Sequence, residues 1–131
     1  MDQGVDSTHA LSQGLAGYVR AVAAALELPA EGTSFEISDT ATAYLALRHA
    51  ARRPGEDLML VWSERTGWAV AVETAPSTVL AYFGDDAVPE PRLVARFVRE
   101  VLAGRRDPGR RPAFSTSDNR PGLTRRLLPY R

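Results

Sequence analysis

The sequence predicts an α+β fold: an antiparallel sheet of about five strands with an N-terminal and a C-terminal helix packed on one face, in the order α-β-β-β-β-β-α. Three observations predict it. Stretches beginning at Leu11 and near Arg92 repeat apolar residues every three or four positions, the residues between them alternate with period two, and the connections between the alternating runs are short turns. A chain of 131 residues that is 44% apolar and 24% charged is one domain's worth of protein, and it buries enough surface to fold without a metal or a disulfide.

Residues 1–10 carry little that is apolar and read as a flexible N-terminus. The first helix places Leu11, Leu15, Tyr18, Val19, Val22 and Leu26 on one face, with Ser12 as its N-cap and Pro29 closing the run. Gly14 and Gly17 weaken its opening turns. Phe35 and Ile37 then alternate with Glu36 and Ser38, and Ala41, Ala43, Leu45 and Leu47 alternate with Thr42, Tyr44 and Ala46, which makes two strands. Residues 48–57 are polar and read as a loop. Residues 58–64 and 68–74 form a hairpin around Arg65-Thr66-Gly67, with Gly67 in the left-handed conformation. Pairing Glu64 with Trp68 puts Trp62, Glu64, Trp68 and Val70 on one face, the two indoles diagonal to each other. A fifth strand, 79–83, follows a turn at Pro76-Ser77. The second helix opens near Pro89-Glu90-Pro91 and ends at Gly104; Leu93, Val94, Phe97, Val98, Val101 and Leu102 form its apolar face, and Arg92, Arg96, Arg99 and Glu100 its wet one. The α+β domain is therefore assigned to residues 11–104.

All sixteen basic residues are arginine, which points to a coding bias, and the net charge of zero conceals an asymmetry. Residues 1–104 hold eight arginines against fourteen carboxylates, whereas residues 105–131 hold eight against two. With four prolines in that tail, it reads as mostly disordered, with a short helical or extended motif at its end around Leu123, Leu127, Leu128 and Tyr130.

The absence of cysteine excludes thiol nucleophiles, redox pairs, iron–sulfur clusters and thiolate zinc sites. Neither a signal peptide nor an apolar run of ~20 residues is present, so a cytoplasmic protein with no membrane partner is expected. His9 and His49 stand in no metal-binding or triad spacing, and phosphate loops and nucleophile elbows are missing. No catalytic residue, cofactor or metal is assigned. Glu36, Asp39, Glu64 and Glu73 remain as acid/base candidates, although Asp39 is more simply a turn residue and Glu73 a solvent-facing position or an arginine partner.

Binding residues are easier to nominate. Tyr44, Trp62, Trp68 and Tyr82 are the candidate partner or ligand surface, with core packing as the competing explanation for strand aromatics. The face of the sheet left bare by the helices suggests a homodimer. Arg105, Arg106, Arg110, Arg111, Arg125 and Arg126 are candidate electrostatic contacts, either to the acidic domain or to nucleic acid, with only Phe114 and Tyr130 available in the tail for stacking.

The segments 17–22, 38–45, 57–62, 67–74 and 80–84 resemble an actinobacterial family of small proteins, a domain of unknown function, over about residues 11–104. That resemblance implies an actinobacterial, cytoplasmic domain and assigns no active-site residue. The element order is also similar to the secretion-chaperone-like fold, whose small α+β dimers bind other proteins. The expectation is a non-enzymatic protein-binding or adaptor module, homodimeric through the sheet. Its alternatives are a nucleic-acid-associated regulator using the tail, and a small-molecule binder or cofactor-free enzyme with a pocket near the aromatic hairpin.

Overall fold

The computed structural model describes residues 3–47, 57–73, 77–106, 109–114 and 119–131. The sequence folds as expected in class and order. Helix α1 (Gln3–Ala25) leads into β1 (Thr33–Ile37), β2 (Ala41–Ala46), β3 (Leu58–Ser63), β4 (Gly67–Val72) and β5 (Thr78–Tyr82), followed by α2 (Pro91–Leu102) and α3 (Arg120–Leu127). The five strands form one antiparallel sheet in sequence order. The loop expected at residues 48–57 and the turn at Pro76 fall, apart from Asp57, outside the described residues.

Helix α1 starts well before Leu11, so Ser12 is not its cap. Once Leu11, Leu15, Tyr18, Val19 and Val22 anchor a helix in the core, adding turns at its N-terminus needs no apolar face, because propagation costs far less than nucleation. At the other end Leu28 N–H reaches the Ala23 carbonyl at 2.9 Å and Glu27 N–H the Ala24 carbonyl at 3.1 Å, the Schellman arrangement. This puts Glu27, not a glycine, at the left-handed position with φ 56°.

Alternation decides which strand side chains enter the core. Ala43 pairs with Trp62, Trp62 with Trp68, and Leu60 with both Leu45 and Val70, so these residues line one face. The Trp62–Trp68 register corrects the predicted hairpin: the indoles are directly opposite, and Ser63 pairs with Gly67 around a Glu64-Arg65-Thr66 loop. Gly67 has φ 71°, as its position in the turn requires. Helix α2 contributes Val94, Ala95, Val98 and Val101 to the interior, with Phe97 set edge-on to Phe83 at 5.5 Å. Leu93, expected inside, is exposed.

The largest departure from expectation is the C-terminal segment. Its last thirteen residues are not disordered: Asn119 caps α3 by accepting from Gly122 N–H at 3.0 Å, and Leu123 and Leu127, one turn apart, are completely buried. The core therefore extends beyond residue 104. Gly14 and Gly17 explain how α3 fits. A Cβ on Gly17 would lie 1.7 Å from the Tyr130 carbonyl oxygen, and one on Gly14 2.9 Å from Leu127 Cβ. The two glycines lower helix propensity, and in return the tail backbone lies directly on α1.

Two substitutions test these readings. Gly17→Ala gains about 1 kcal/mol of intrinsic helix propensity, yet it is expected to destabilise the chain by about 1–3 kcal/mol because Tyr130 must move; urea unfolding gives the sign. Glu27→Gly relieves the left-handed side chain and is expected to raise stability by about 0.5–1 kcal/mol, read as a higher thermal midpoint.

Candidate functional site

The sheet has a second face on which no helix lies among the described residues. The core cluster contains Leu45, Leu60, Trp62, Trp68, Val70 and Ala81, and it omits Tyr44, Met59, Val61, Ala69, Ala71, Val79 and Tyr82. The register gathers the omitted residues into rows. Tyr44, Val61, Ala69 and Tyr82 run across β2 to β5, and Ala46, Met59, Ala71 and Val79 lie beside them. A third row of Glu36, Thr42, Ser63 and Gly67 is polar. The face thus grades from an apolar field to a polar margin. Ala69 and Ala71 are sunk beneath larger half-buried neighbours, so β4 forms the floor of a shallow trough.

At the β1 to β3 end this face holds an open groove of about 680 Å³, lined among others by Phe35, Glu36, Thr42, Tyr44, Val61 and Ser63. Phe35, 38% exposed on the edge strand β1, pairs with Ala43 and so turns its side chain to the opposite face, leaving Ser34 and Glu36 as the β1 side chains on the groove side. Tyr44 donates its hydroxyl hydrogen to Glu73 Oε1 at 2.6 Å, which holds the phenol ring in place.

Of the four nominated surface aromatics, the structure therefore brings Tyr44 and Tyr82 together on the open face and removes Trp62 and Trp68 from it. These two are 1% and 0% exposed on the opposite face. Each indole satisfies its N–H inside the protein: Trp62 donates to the Ala87 carbonyl at 2.7 Å, and Trp68 to the Tyr18 hydroxyl at 3.0 Å. Tyr18 passes its own hydrogen to the Pro89 carbonyl, and its ring lies 4.8 Å from that of Tyr130. Burial holds the Tyr18 hydroxyl far above the ordinary phenol range, overriding the Trp68 hydrogen bond that favours the phenolate.

Glu64 is the acid/base candidate with an unexpected role. Its side chain is 1% exposed. One oxygen, Oε1, accepts from Ala41 N–H at 2.8 Å and from Arg120 Nη2 at 3.0 Å, and Oε2 accepts from Arg120 Nε at 3.3 Å. Arg120 also donates to the Ser38 carbonyl at 2.5 Å. This is a two-pronged ion pair joining the hairpin loop to the first residue of α3. The other carboxylates do not converge with it: Glu36 and Asp39 are exposed, and Glu73 is engaged by Tyr44.

Of the remaining tail arginines, Arg126 contacts Asp86 at 2.7 Å and the Val88 carbonyl at 2.9 Å. Partial burial opposes ionisation of Asp86, but hydrogen bonds from Arg126 and from Val88 N–H outweigh it and hold the carboxyl below its usual range. Arg105 lies 3.9 Å from Glu100, Arg106 is half-buried, and Arg110, Arg111 and Arg125 are exposed. His9 lies exposed on α1, and His49 is outside the described residues. Among the described residues there is no cluster of three or more side chains suited to holding a metal ion, and no helix long and apolar enough to cross a membrane.

Sequence reasoning found the leucines and Tyr130 of the tail but missed Arg120 as the partner of Glu64. The available signal was an asparagine followed by proline, glycine and two leucines four residues apart, which is a capped helix start.

The Tyr18 environment predicts a pH response. Its folded pKa lies above its unfolded one, so its contribution is intact below about pH 10 and is lost as pH rises further. Tyr18→Phe is expected to cost about 1–3 kcal/mol at pH 8, because the Trp68 N–H and the Pro89 carbonyl lose their partner. It should also flatten the decline in stability above about pH 10, measured by urea unfolding.

No curated protein and no solved structure matches this sequence. A family model does match, over residues 18–100, from Tyr18 through the whole sheet and into α2. By that match, which spans well over half of its length, the chain belongs to a family of unknown function, DUF6292.

Proposed function

We propose that the protein is a non-enzymatic protein-binding module whose docking surface is the helix-free face of the sheet, and that a second copy of the chain occupies that face, sheet against sheet. One observation carries the reading: an apolar field of Tyr44, Met59, Val61, Val79 and Tyr82 lies outside the core cluster and is bordered by polar Glu36, Thr42 and Ser63. An apolar centre with a polar rim is the anatomy of a protein interface. Face-to-face packing also buries strands that carry side chains on both sides.

Several features support this reading over its rivals. Arg120 and Arg126 are committed to Glu64 and Asp86, which favours a tail that serves contacts between protein surfaces over one that neutralises phosphates. The carboxylates Glu36, Asp39, Glu64 and Glu73 are dispersed, which favours binding over acid/base chemistry. The resemblance to small actinobacterial proteins and to the secretion-chaperone-like element order supports a cytoplasmic, dimeric module.

Val61 is the residue to change, because it sits in the middle of the apolar row and away from the helices. Wild-type chain is expected to sediment as a dimer at micromolar concentration. Val61→Glu should sediment as a monomer with an almost unchanged thermal midpoint. A wild-type chain that stays monomeric at high concentration would sink the dimer.

A further inference from the structure

We propose that the groove between α1, the β3–β4 hairpin and residues 86–89 recognises short basic amphipathic helices, and that residues 119–131 are its resident, exchangeable occupant. The partner it fits is a helical peptide from another protein carrying the spacing Arg-x-x-Leu-x-x-Arg-Leu-x-x-Tyr, as residues 120–130 do.

Several of the bonds that shape the groove do not involve its occupant. Trp68 N–H to Tyr18, Tyr18 to the Pro89 carbonyl, Trp62 N–H to the Ala87 carbonyl, and Ala41 N–H to Glu64 are all bonds made inside residues 18–89. These bonds hold the aromatic floor and place a buried carboxylate at one end, so the cavity selects a cation there. The occupant answers each feature in turn. Arg120 meets Glu64, Leu123 and Leu127 fill the apolar slot, Arg126 meets Asp86, and the Tyr130 ring packs at a tilt against Tyr18. Gly14 and Gly17 let the peptide backbone lie against α1, which gives the site a shape requirement as well as a charge requirement.

Three observations separate occupant from groove. Tyr18, Glu64, Trp68, Asp86 and Pro89, though not Gly14 and Gly17, lie within residues 18–100 matched by the family model, whereas residues 119–131 lie wholly beyond it. The connection from α2 to α3, residues 103–119, has no helix or strand among its described residues. The charges are complementary, with fourteen carboxylates against eight arginines before residue 105 and two against eight after it. Helix-in-groove recognition with leucine anchors and flanking ion pairs is a recurring mode of peptide binding. A tethered occupant competes with free peptide at an effective concentration near ~1 mM, so the full chain should bind added peptide poorly until the tether is defeated.

The test uses a fluorescent synthetic peptide of residues 119–131 and the full chain. Leu127→Asp in the chain ejects the resident segment and should tighten peptide binding, measured by anisotropy, at least about tenfold over wild type. Adding Glu64→Gln to that chain, or Arg120→Glu to the peptide, should abolish the gain. Val61→Glu should leave peptide binding unchanged, so failure here is distinguishable from failure of the sheet-face reading. If Leu127→Asp does not fold, a cleavage sequence for a site-specific protease is inserted between Arg110 and Arg111 of the otherwise wild-type chain, the chain is nicked there, and the labelled peptide is used to chase the cleaved segment. Exchange while the circular dichroism signal persists supports the proposal. Equal binding by wild type and a folded Leu127→Asp chain, absence of exchange, or unfolding as the segment departs makes residues 119–131 ordinary core and overturns it.

Discussion

The fold depends on how the backbone of residues 86–89 is satisfied. This short stretch, which carries the chain from β5 to α2, has no helix or strand of its own, so its carbonyls need partners from elsewhere. Trp62 supplies one to Ala87, Tyr18 one to Pro89, and Arg126 one to Val88, while Asp86 closes a local turn by accepting from Val88 N–H. The donors come from β3, α1 and α3. A loop that would otherwise be a defect in the interior thereby becomes the point where three elements are brought into register. Trp62 and Tyr18 are also large side chains whose burial is favourable only if their polar atoms are paired, so the loop and these two donors require one another.

The Glu64–Arg120 pair does something different. A buried ion pair costs desolvation on both sides, and an apolar pair of similar volume is often at least as stable. What the pair adds is position. Glu64 is held by Ala41 N–H as well as by Arg120, and Arg120 spends a further bond on the Ser38 carbonyl, so only one placement of the α3 N-terminus satisfies all the groups. The two leucines that follow would tolerate a slide along α1 of part of a turn. With a charge at one end, the tilted packing of Tyr130 against Tyr18 at the other, and the glycine gap between, that slide is forbidden.

Fold class and element order were legible because each element carries its own period. The first helix repeats Leu11, Leu15, Tyr18 and Val22, and the strands from Phe35 to Tyr82 alternate; both are local signals that survive without tertiary information. The hairpin register was off because the glycine that ends the turn does not say how many residues precede it in the loop. Helix α3 was harder still: eight residues containing proline and glycine have poor intrinsic propensity, and tertiary contacts with α1 decide the outcome. The glycines of α1 were read as weakening for the same reason, since their purpose lies more than a hundred residues away in sequence. Tyr44 and Tyr82 were found by their alternation, whereas Trp62 and Trp68 were assigned to a surface because aromatic strand residues look alike whichever face they take.

The same alternation explains why the two proposed recognition surfaces can share one sheet without conflict. A strand with period two sends successive residues to opposite sides, so Trp62 faces the groove under α3 while its neighbour Val61 belongs to the open face. Ala43 and Tyr44 divide in the same way on β2, and Val70 and Ala69 on β4. Substitution at one position therefore reaches one surface with little effect on the other. On the open face the β4 alanines Ala69 and Ala71 keep the surface low, and a larger residue there would lift the trough and press on the row beside it. The sheet is consequently a partition, with the hydrogen-bonded aromatic core fixed on one side and a shallow, adaptable field of mixed aliphatic and tyrosine side chains on the other.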